Sequence, residues 1–364
     1  MAPIRVGFLG LSAAGGSWAL KSHLPYLTST SKYTITGVCN SSQESSQKAI
    51  DTHGLKEAKA YGSPAELAAS DEVDLVVCSL RVDRHFDALK PAIAAGKDVF
   101  VEWPLASNSK DGKELLALAE EKGVKTMIGL QGQMSPALHR VKDLLNEDAI
   151  GRVVSSSVNM AAALSTAETF EGYEYLNFKE FGGNMMVIPF GHFYDSVSLV
   201  LGELQYVSAT LSTQYPNVKV KSQDGKIVNT IQRTTADQLT LSGLLESGGH
   251  SSAIVNGSGP FKGEPALVWR IEGDKGMIDV RGEGAFAVSM SGAVKIRVQD
   301  FVSGEVKDID FQEDNPGPPG NVARLYEAFA DGKSYPDWKW AVKRHAWVDA
   351  LYESHESGKH ASYV

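Results

Sequence analysis

RVGFLGLSAAGG, residues 5–16, is the stretch that decides the fold. Its first five residues form a short apolar run that reads as a strand. Gly10 ends that run, and Leu11-Ser12-Ala13-Ala14-Gly15-Gly16 is a turn of small residues ahead of a helix over about residues 17–27. A strand, a glycine-rich turn and a helix, in that order, are the setting of the G-x-G-x-x-G dinucleotide fingerprint. Gly10 and Gly15 hold its first and third glycine positions, and Ser12 stands at the second. The turn needs small residues because backbone amides must approach a diphosphate closely, and the N-terminus of the following helix adds partial positive charge. Serine enlarges the turn by one hydroxyl, which can itself donate to phosphate. The motif alone also fits a glycine-rich turn that holds no ligand, so its surroundings have to choose.

Those surroundings alternate strand and helix. Residues 33–40 (YTITGVCN) are β-rich and read as the second strand. Ser41-x-x-Glu44 then has the form of a capping box, and Gly54 is a natural end for the helix it opens. Ser63-Pro64-Ala65-Glu66 repeats the signature, with proline at the first helical position. Residues 73–80 (VDLVVCSL) form a continuous apolar run, which suits a parallel strand buried on both faces. Residues 98–101 and 125–130 read as two more strands. Between them, residues 109–122 place Leu115, Leu118, Ala119 and Lys122 at helical spacing, and Gly123 stops the helix. Five strands alternating with helices imply a doubly wound parallel sheet, a Rossmann domain over residues 1–130.

After about residue 150 the rhythm changes. Residues 152–160, 208–214, 238–245, 251–257, 267–273 and 293–299 are strand-like and separated by Gly, Ser and Asn turns. Long helices are scarce apart from residues 191–201 and a C-terminal pair. This predicts an α+β domain on an open, mainly antiparallel sheet over residues 131–340, with residues 341–364 as a closing helix. Residues 313–321 (EDNPGPPGN) read as a loop, because prolines and glycines at that density oppose a regular element.

The bulk numbers agree with two domains. A chain of 364 residues exceeds one core of ordinary size, and 43% hydrophobic with 22% charged residues is a globular balance. A net charge of −9 argues against a nucleic-acid groove, which needs a basic surface, and against an anionic membrane surface. Of the two cysteines, Cys39 and Cys78, both lie in apolar strand-like runs and read as buried free thiols. No Cys/His cluster has zinc spacing, so no metal is expected. No leader-like segment and no run near the roughly 20 apolar residues of a membrane span appears. A cytoplasmic protein is the expectation, with a nuclear location left open.

The end of the second strand sets the cofactor type. An acidic residue there would hold the ribose 2′-hydroxyl of NAD. This chain has Asn40-Ser41-Ser42 instead. Without a carboxylate there is no repulsion toward a 2′-phosphate, and hydroxyls at a helix N-terminus favour one. NADP is preferred, with NAD as the alternative; the serines also serve as helix caps.

As a set, several further motifs resemble the Gfo/Idh/MocA oxidoreductases across essentially the whole chain. They are the VGFLG turn, Ser79-Leu80-Arg81-Val82 with His85, Val101-Glu102-Trp103-Pro104-Leu105-Ala106, and Gln131-Gly132-x-x-Ser135-Pro136. Ile150-Gly151-Arg152-Val153, Gly191-His192-x-x-Asp195 and Asn321-x-x-x-Leu325-Tyr326-x-Ala328-Phe329 complete the set, with Ser354 and Gly358 near the end. The pattern is most similar to the branch that contains the fungal galactose-pathway repressor and uncharacterised fungal oxidoreductases. The resemblance implies a Rossmann domain, an open-sheet α/β domain, an active site where the two meet, and a homodimer. It also implies a lysine after the fourth strand, where Trp103 stands, and an aspartate four residues before the catalytic histidine, where Ile188 stands. His192 remains.

The expected nucleotide-binding residues are Gly10, Leu11, Ser12, Ala13, Ala14, Asn40, Ser41, Ser42, Leu80, Arg81, His85, Glu102, Trp103 and Gln131. The expected catalytic residues are His192, Asp195 and Tyr175. Hydride transfer to a carbonyl needs a proton donor, and imidazole titrates near neutral pH. Asp195 lies one helical turn after His192, placed to orient the ring or bind substrate. Tyr173, Tyr175 and Lys179 offer polar groups that replace those missing from the pattern, and each reads equally as a packing or surface residue. Two readings stand: an NADP-dependent oxidoreductase acting on a sugar-like or specialised small-molecule carbonyl or alcohol, and a catalytically silent NADP-binding regulator that binds a protein partner.

Overall fold

The computed structural model describes residues 2–363. The chain forms two compact units, Met1–Gln131 with Gly317–Val342 and Gly132–Pro316 with Lys343–Val364. The first boundary lies one residue from the expected one. The return of Gly317–Val342 to the first unit differs from the expected division at 340. Its cause is Tyr326, whose ring centre lies between 5.1 and 5.8 Å from those of Phe100, Tyr33, Tyr26 and His23, all in the first unit.

The first unit is a six-stranded parallel sheet. Its strands are β1 (Ile4–Leu9), β2 (Tyr33–Cys39), β3 (Lys59–Tyr61), β4 (Leu75–Cys78), β5 (Asp98–Glu102) and β6 (Thr126–Gly129). Their order is β3-β2-β1-β4-β5-β6, so the direction of winding reverses at β1. In such sheets ligands bind beyond the C-terminal strand ends at that reversal. β3 is the strand absent from the sequence reading; its three residues carry no buried apolar run. The residues of β4 are all fully buried, as the continuous apolar run requires. Cys39 and Cys78 are free and buried, on strands that flank β1. Two strand spacings, about 9–10 Å, hold them beyond disulfide reach.

The helices of this unit follow their caps. The expected helix over 17–27 is broken into a wide π-helical turn, Ala19–His23, and α1 (Leu24–Ser29). Pro25 has no N–H to give to the carbonyl one turn back, so a regular α-ladder cannot run through it. α2 (Gln43–His53) is capped one residue later than expected. Ser42 Oγ accepts from the Ser45 amide and Ser45 Oγ accepts from the Ser42 amide, both at 3.1 Å. Buried Ser46 sets that phase: its hydroxyl donates to the Tyr61 carbonyl at 2.9 Å and accepts from the Asn40 amide at 2.8 Å. α3 (Pro64–Ala68) and α4 (His85–Ala94) follow. α5 (Ser109–Lys122) spans the expected range, with Gly123 in the left-handed conformation at φ 65°. Short α6 and α7 (Pro136–Asn146 and Gly191–Leu201) belong to the second unit.

The second unit carries an eight-stranded sheet, ordered β17-β16-β15-β14-β7-β13-β12-β9, and a three-stranded one, β11-β10-β8. In chain order these are β7 (Val153–Ala161), β8 (Glu168–Phe170), β9 (Leu204–Ser212), β10 (Asn217–Lys221), β11 (Ile227–Gln232) and β12 (Gln238–Leu245). β13 (His250–Asn256), β14 (Leu267–Gly273), β15 (Gly276–Gly282), β16 (Val294–Asp300) and β17 (Val306–Ile309) complete them. All pairs in the large sheet are antiparallel except β7 with β13. β15 was not expected because Asp279 and Arg281 interrupt its apolar pattern; both point to the outward face, in register with β14 and β16. On the inward face Phe193 of α7 meets the buried Trp269 edge-on at 5.6 Å between ring centres.

The expected loop over 313–321 ends sooner than its composition suggests. α8 (Pro318–Ala330) takes Pro318 and Pro319 in its first turn, where the missing amides would have had no partner. α9 (Trp338–Ser357) is the last helix. Among the described residues no helix is long and apolar enough to cross a membrane.

One buried ion pair ties the loops of the second unit together. Arg233 and Asp237 have fully buried side chains 3.1 Å apart. Arg233 also donates to the carbonyls of Ser165, Tyr215 and Thr166 and to Asn177 Oδ1. Asp237 accepts the amides of Gln214 and Tyr215. Removing the guanidinium would strand a buried carboxylate and several carbonyls. Arg233→Met is expected to cost about 3–5 kcal/mol of unfolding free energy, read by urea denaturation; a change under about 1 kcal/mol would refute this.

Candidate functional site

A parallel sheet sends all its strand-to-helix loops to one edge. That edge collects the first-unit candidates: Gly10 to Ala14 after β1, Asn40 to Ser42 after β2, Leu80 and Arg81 after β4, Glu102 and Trp103 at the end of β5, and Gln131 after β6. Gly10 has φ +93°, and a Cβ there would lie 2.8 Å from both the Ser79 carbonyl oxygen and Leu80 Cδ2. The β1 and β4 loops therefore touch only because this position has no side chain. Gly15 and Gly16 face the opposite situation, with no atom within 4 Å of a built Cβ.

Most of the turn's amides are unspent within the chain. That of Ala14 donates to Ser12 Oγ at 3.0 Å. Among the described residues, those of Leu11, Ser12, Ala13, Gly15 and Gly16 have no acceptor within the chain. A cradle of unspent donors that a Cβ would fill is the chemistry a diphosphate needs. The residues present thus fit a dinucleotide. Leu11 contributes its backbone alone, since its side chain is fully buried.

Asn40 is turned inward. Its side-chain amide donates to the Leu11 carbonyl at 2.8 Å and to that of Ser45 at 3.2 Å, bracing the turn from behind. Ser41 and Ser42 are exposed at the start of α2. His53 Nε2 braces the same turn, 2.9 Å from the Ser12 carbonyl.

His85 is also structural in its contacts. The ring is buried, with Nδ1 3.0 Å from the Pro104 carbonyl and Nε2 3.1 Å from that of Leu80. Burial pushes its pKa down, and the two carbonyls offset part of that shift. It locks the β4 loop to the β5 loop. Arg81 is exposed and grips Asp83 through two nitrogens at 2.5 and 2.7 Å, which holds that carboxyl below the usual range. Trp103 and Gln131 are buried. Gln131 Oε1 has no hydrogen-bond partner, a polar atom aimed nowhere within the chain. Glu102 is nearly covered and lies 2.8 Å from His23 Nε2.

The catalytic candidates lie in the second unit. His192 and Asp195 occupy the first turn and a half of α7 and are both buried. The carboxylate of Asp195 accepts from Gln133 Nε2 at 3.1 and 3.2 Å. Gly132 lets the 3₁₀ turn Gln131–Met134 approach α7, since a Cβ would meet Ser196 Oγ at 2.9 Å. The ring of Phe286 stands edge-on to His192, 6.0 Å between centres. Tyr175 is half-buried in a short 3₁₀ turn whose last residue, Asn177, is held by Arg233. Tyr173 and Lys179 are exposed, and the Lys179 ammonium lies 3.9 Å from the centre of the Tyr352 ring.

Comparison with known proteins agrees with this arrangement. Residues 4–130 match the oxidoreductase family with an NAD-binding Rossmann fold, GFO_IDH_MocA, and residues 136–282 match the Gal80p C-terminal domain. The dehydrogenase aclE of Aspergillus oryzae is 30% identical over 99% of this chain and 98% of its own length. The chain belongs to the Gfo/Idh/MocA oxidoreductase family. Within that family it sits in the branch with the galactose/lactose metabolism regulatory protein GAL80. The Saccharomyces cerevisiae GAL80 protein is 28% identical over 91% of this chain and 82% of its own. The crystal structure of the transcriptional regulator Gal80p from Kluyveromyces lactis superposes with a TM-score of 0.89 at 26% identity, covering 99% of this chain and 94% of that one.

For a Gfo/Idh/MocA member, His23 and Gln133 are contacts that sequence reading did not single out, and Tyr326 was named there only within a family motif. His23 sits on what reads as an ordinary helix, and Tyr326 reaches it from 303 residues away. Only a buried histidine beside the glycine turn could have drawn attention to the first. The glycine geometry gives a clean contrast. Gly10→Ala is expected to lose about 1–3 kcal/mol of stability, and Gly15→Ala to hold it or gain up to about 1 kcal/mol. Paired denaturation curves check this, and equal losses would contradict the assignment of the close approach to Gly10.

Proposed function

We propose that this family member binds NADP(H) at the loop edge of its parallel sheet and transfers hydride between it and a carbonyl or alcohol. The observation that carries the reading is the set of unspent amides at Leu11, Ser12, Ala13, Gly15 and Gly16, beside the reversal of strand order. Gly10 to Ala14 would hold the diphosphate. Ser41 and Ser42 hydroxyls, at the N-terminus of α2 and with Asn40 rather than a carboxylate at the end of β2, favour the 2′-phosphate of NADP over the bare ribose of NAD. When bound, the nicotinamide supplies the hydride donor or acceptor.

His192 is the proton carrier in this reading. It takes the hydroxyl proton as an alcohol is oxidised and returns a proton to the oxygen as a carbonyl is reduced. Asp195, held by Gln133, stands one turn along the helix from His192, placed to orient the ring or bind substrate. Tyr175 adds a hydroxyl on a 3₁₀ turn whose last residue, Asn177, is held by Arg233. Trp103, buried in place of the family's lysine, leaves no cation at the end of β5, which suits a less polar substrate. The full-length similarity to a dehydrogenase supports turnover.

A second reading is favoured by Trp103, Ile188 and the Gal80p-like second unit: an NADP-binding regulator that recognises a protein. Under the enzyme reading, NADPH absorbance falls with some member of a carbonyl panel, and His192→Asn slows that by about 10²–10⁴-fold. Binding of NADPH in a fluorescence titration with no turnover of any carbonyl selects the regulator. NADP is expected to bind more tightly than NAD; the reverse order would remove the role given to Ser41 and Ser42.

The outward face of the large sheet supports a homodimer. In register across β9, β12, β13 and β7, Ser208, Ser242, Ser252 and Ser157 form one flat row, and Ile254 beside them is 57% exposed. Small side chains and an exposed isoleucine suit face-to-face packing against a second copy. Light scattering should report a dimer for the wild type and half that mass for Ile254→Arg; a monomeric wild type excludes this.

A further inference from the structure

His23 is a fully buried histidine bonded to a side chain at the proposed nucleotide edge, and the hydride chemistry gives it no task. Its Nε2 lies 2.8 Å from Glu102 Oε1, and its Nδ1 lies 2.8 Å from the Tyr326 hydroxyl. An ionised carboxylate only accepts, so the ring hydrogen belongs on Nε2, and Nδ1 then accepts from Tyr326. Burial raises the Tyr326 pKa well above normal, which keeps that hydroxyl a donor. The ring is wedged by Phe8 and Phe100, at 5.7 and 5.2 Å between centres, so it cannot swing away.

Glu102 is confined from the other side as well. A Cβ at residue 129 would lie 2.8 Å from Glu102 Oε2, so Gly129 makes the room the carboxylate occupies. The backbone of Glu102 is the last position of β5, at the edge that gathers the nucleotide loops. Of its two oxygens, Oε1 is spent on His23, whereas Oε2 has no hydrogen-bond donor from the chain among the described residues. A carboxylate oriented through one oxygen, with the other unspent, is a hydrogen-bond acceptor prepared for a hydroxyl.

We infer that His23, backed by Tyr326, is a positioning residue that holds Glu102 to accept a hydroxyl of the nicotinamide-side ribose. The inference rests on the nucleotide reading above and assigns Glu102 to the nicotinamide half, away from the phosphate-binding turn. It also gives the returning helix α8 a part in ligand binding, because Tyr326 reaches this relay from that helix.

The test compares two ligands by fluorescence or calorimetric titration: NADPH, and the adenosine bisphosphate portion of NADP, which lacks the nicotinamide riboside. His23→Phe keeps an aromatic ring but no donor, and is expected to weaken NADPH about tenfold while leaving the fragment unchanged. His23→Gln, which restores an N–H donor of similar reach, should recover most of the loss. Tyr326→Phe, which keeps the packing and removes the hydroxyl, should weaken NADPH in the same selective way by a few-fold, and it decides the matter if His23→Phe does not fold. Equal loss of both ligands, or loss of neither, overturns the positioning role while the nucleotide reading stands. Failure of the wild type to bind either ligand brings down both.

Discussion

The contact between two backbones at Gly10 governs the rest of the first unit. The chain leaves β1 at positive φ and passes against the Ser79 carbonyl, an approach that a Cβ at this position would force apart. That close passage brings the loops after β1 and β4 together at the point where strand order reverses. His85 extends the series from Leu80 to Pro104, and Asn40 extends it from the β2 loop to the carbonyl of Leu11. Each loop is fixed by a neighbour, so the outward-facing amides are set before any ligand arrives. A preset array of donors loses little order on binding, which is how such turns bind tightly with few contacts.

The local grammar of the sequence was enough for this part of the molecule. Apolar runs, capping serines and terminal glycines placed α5 to the residue and the central strands within one or two. Where the reading slipped, a neighbour decided. Ser46 shifted the α2 cap by one position because its hydroxyl had a distant carbonyl to satisfy. β15 was hidden because its outward face carries Asp279 and Arg281; Asp279 accepts across strands from Arg270 and Arg297 and, within its own strand, from Arg281. Cross-strand pairing is invisible until register is known.

The site was legible in the same proportion. The nucleotide turn lies in one continuous segment, so it could be read directly. The roles of individual side chains could not. Asn40 and His85, expected at the ligand, carry bonds that brace the loops, which the sequence did not show, while His23 and Tyr326 meet only because α8 folds back onto the first unit. In the second unit, His192 and Asp195 share a helix turn, but the partner of Asp195 is Gln133, from a different element. Roles that depend on long-range meeting need coordinates.

The two thiols follow from the strands that carry them. Cys39 and Cys78 lie inside the parallel sheet, and burial raises their pKa values to about 11 and about 12. Neither is a nucleophile while β2 and β4 are in place. A thiol-labelling reagent therefore reacts with this protein at the rate at which its central sheet opens, and the chain carries its own built-in gauge of global unfolding.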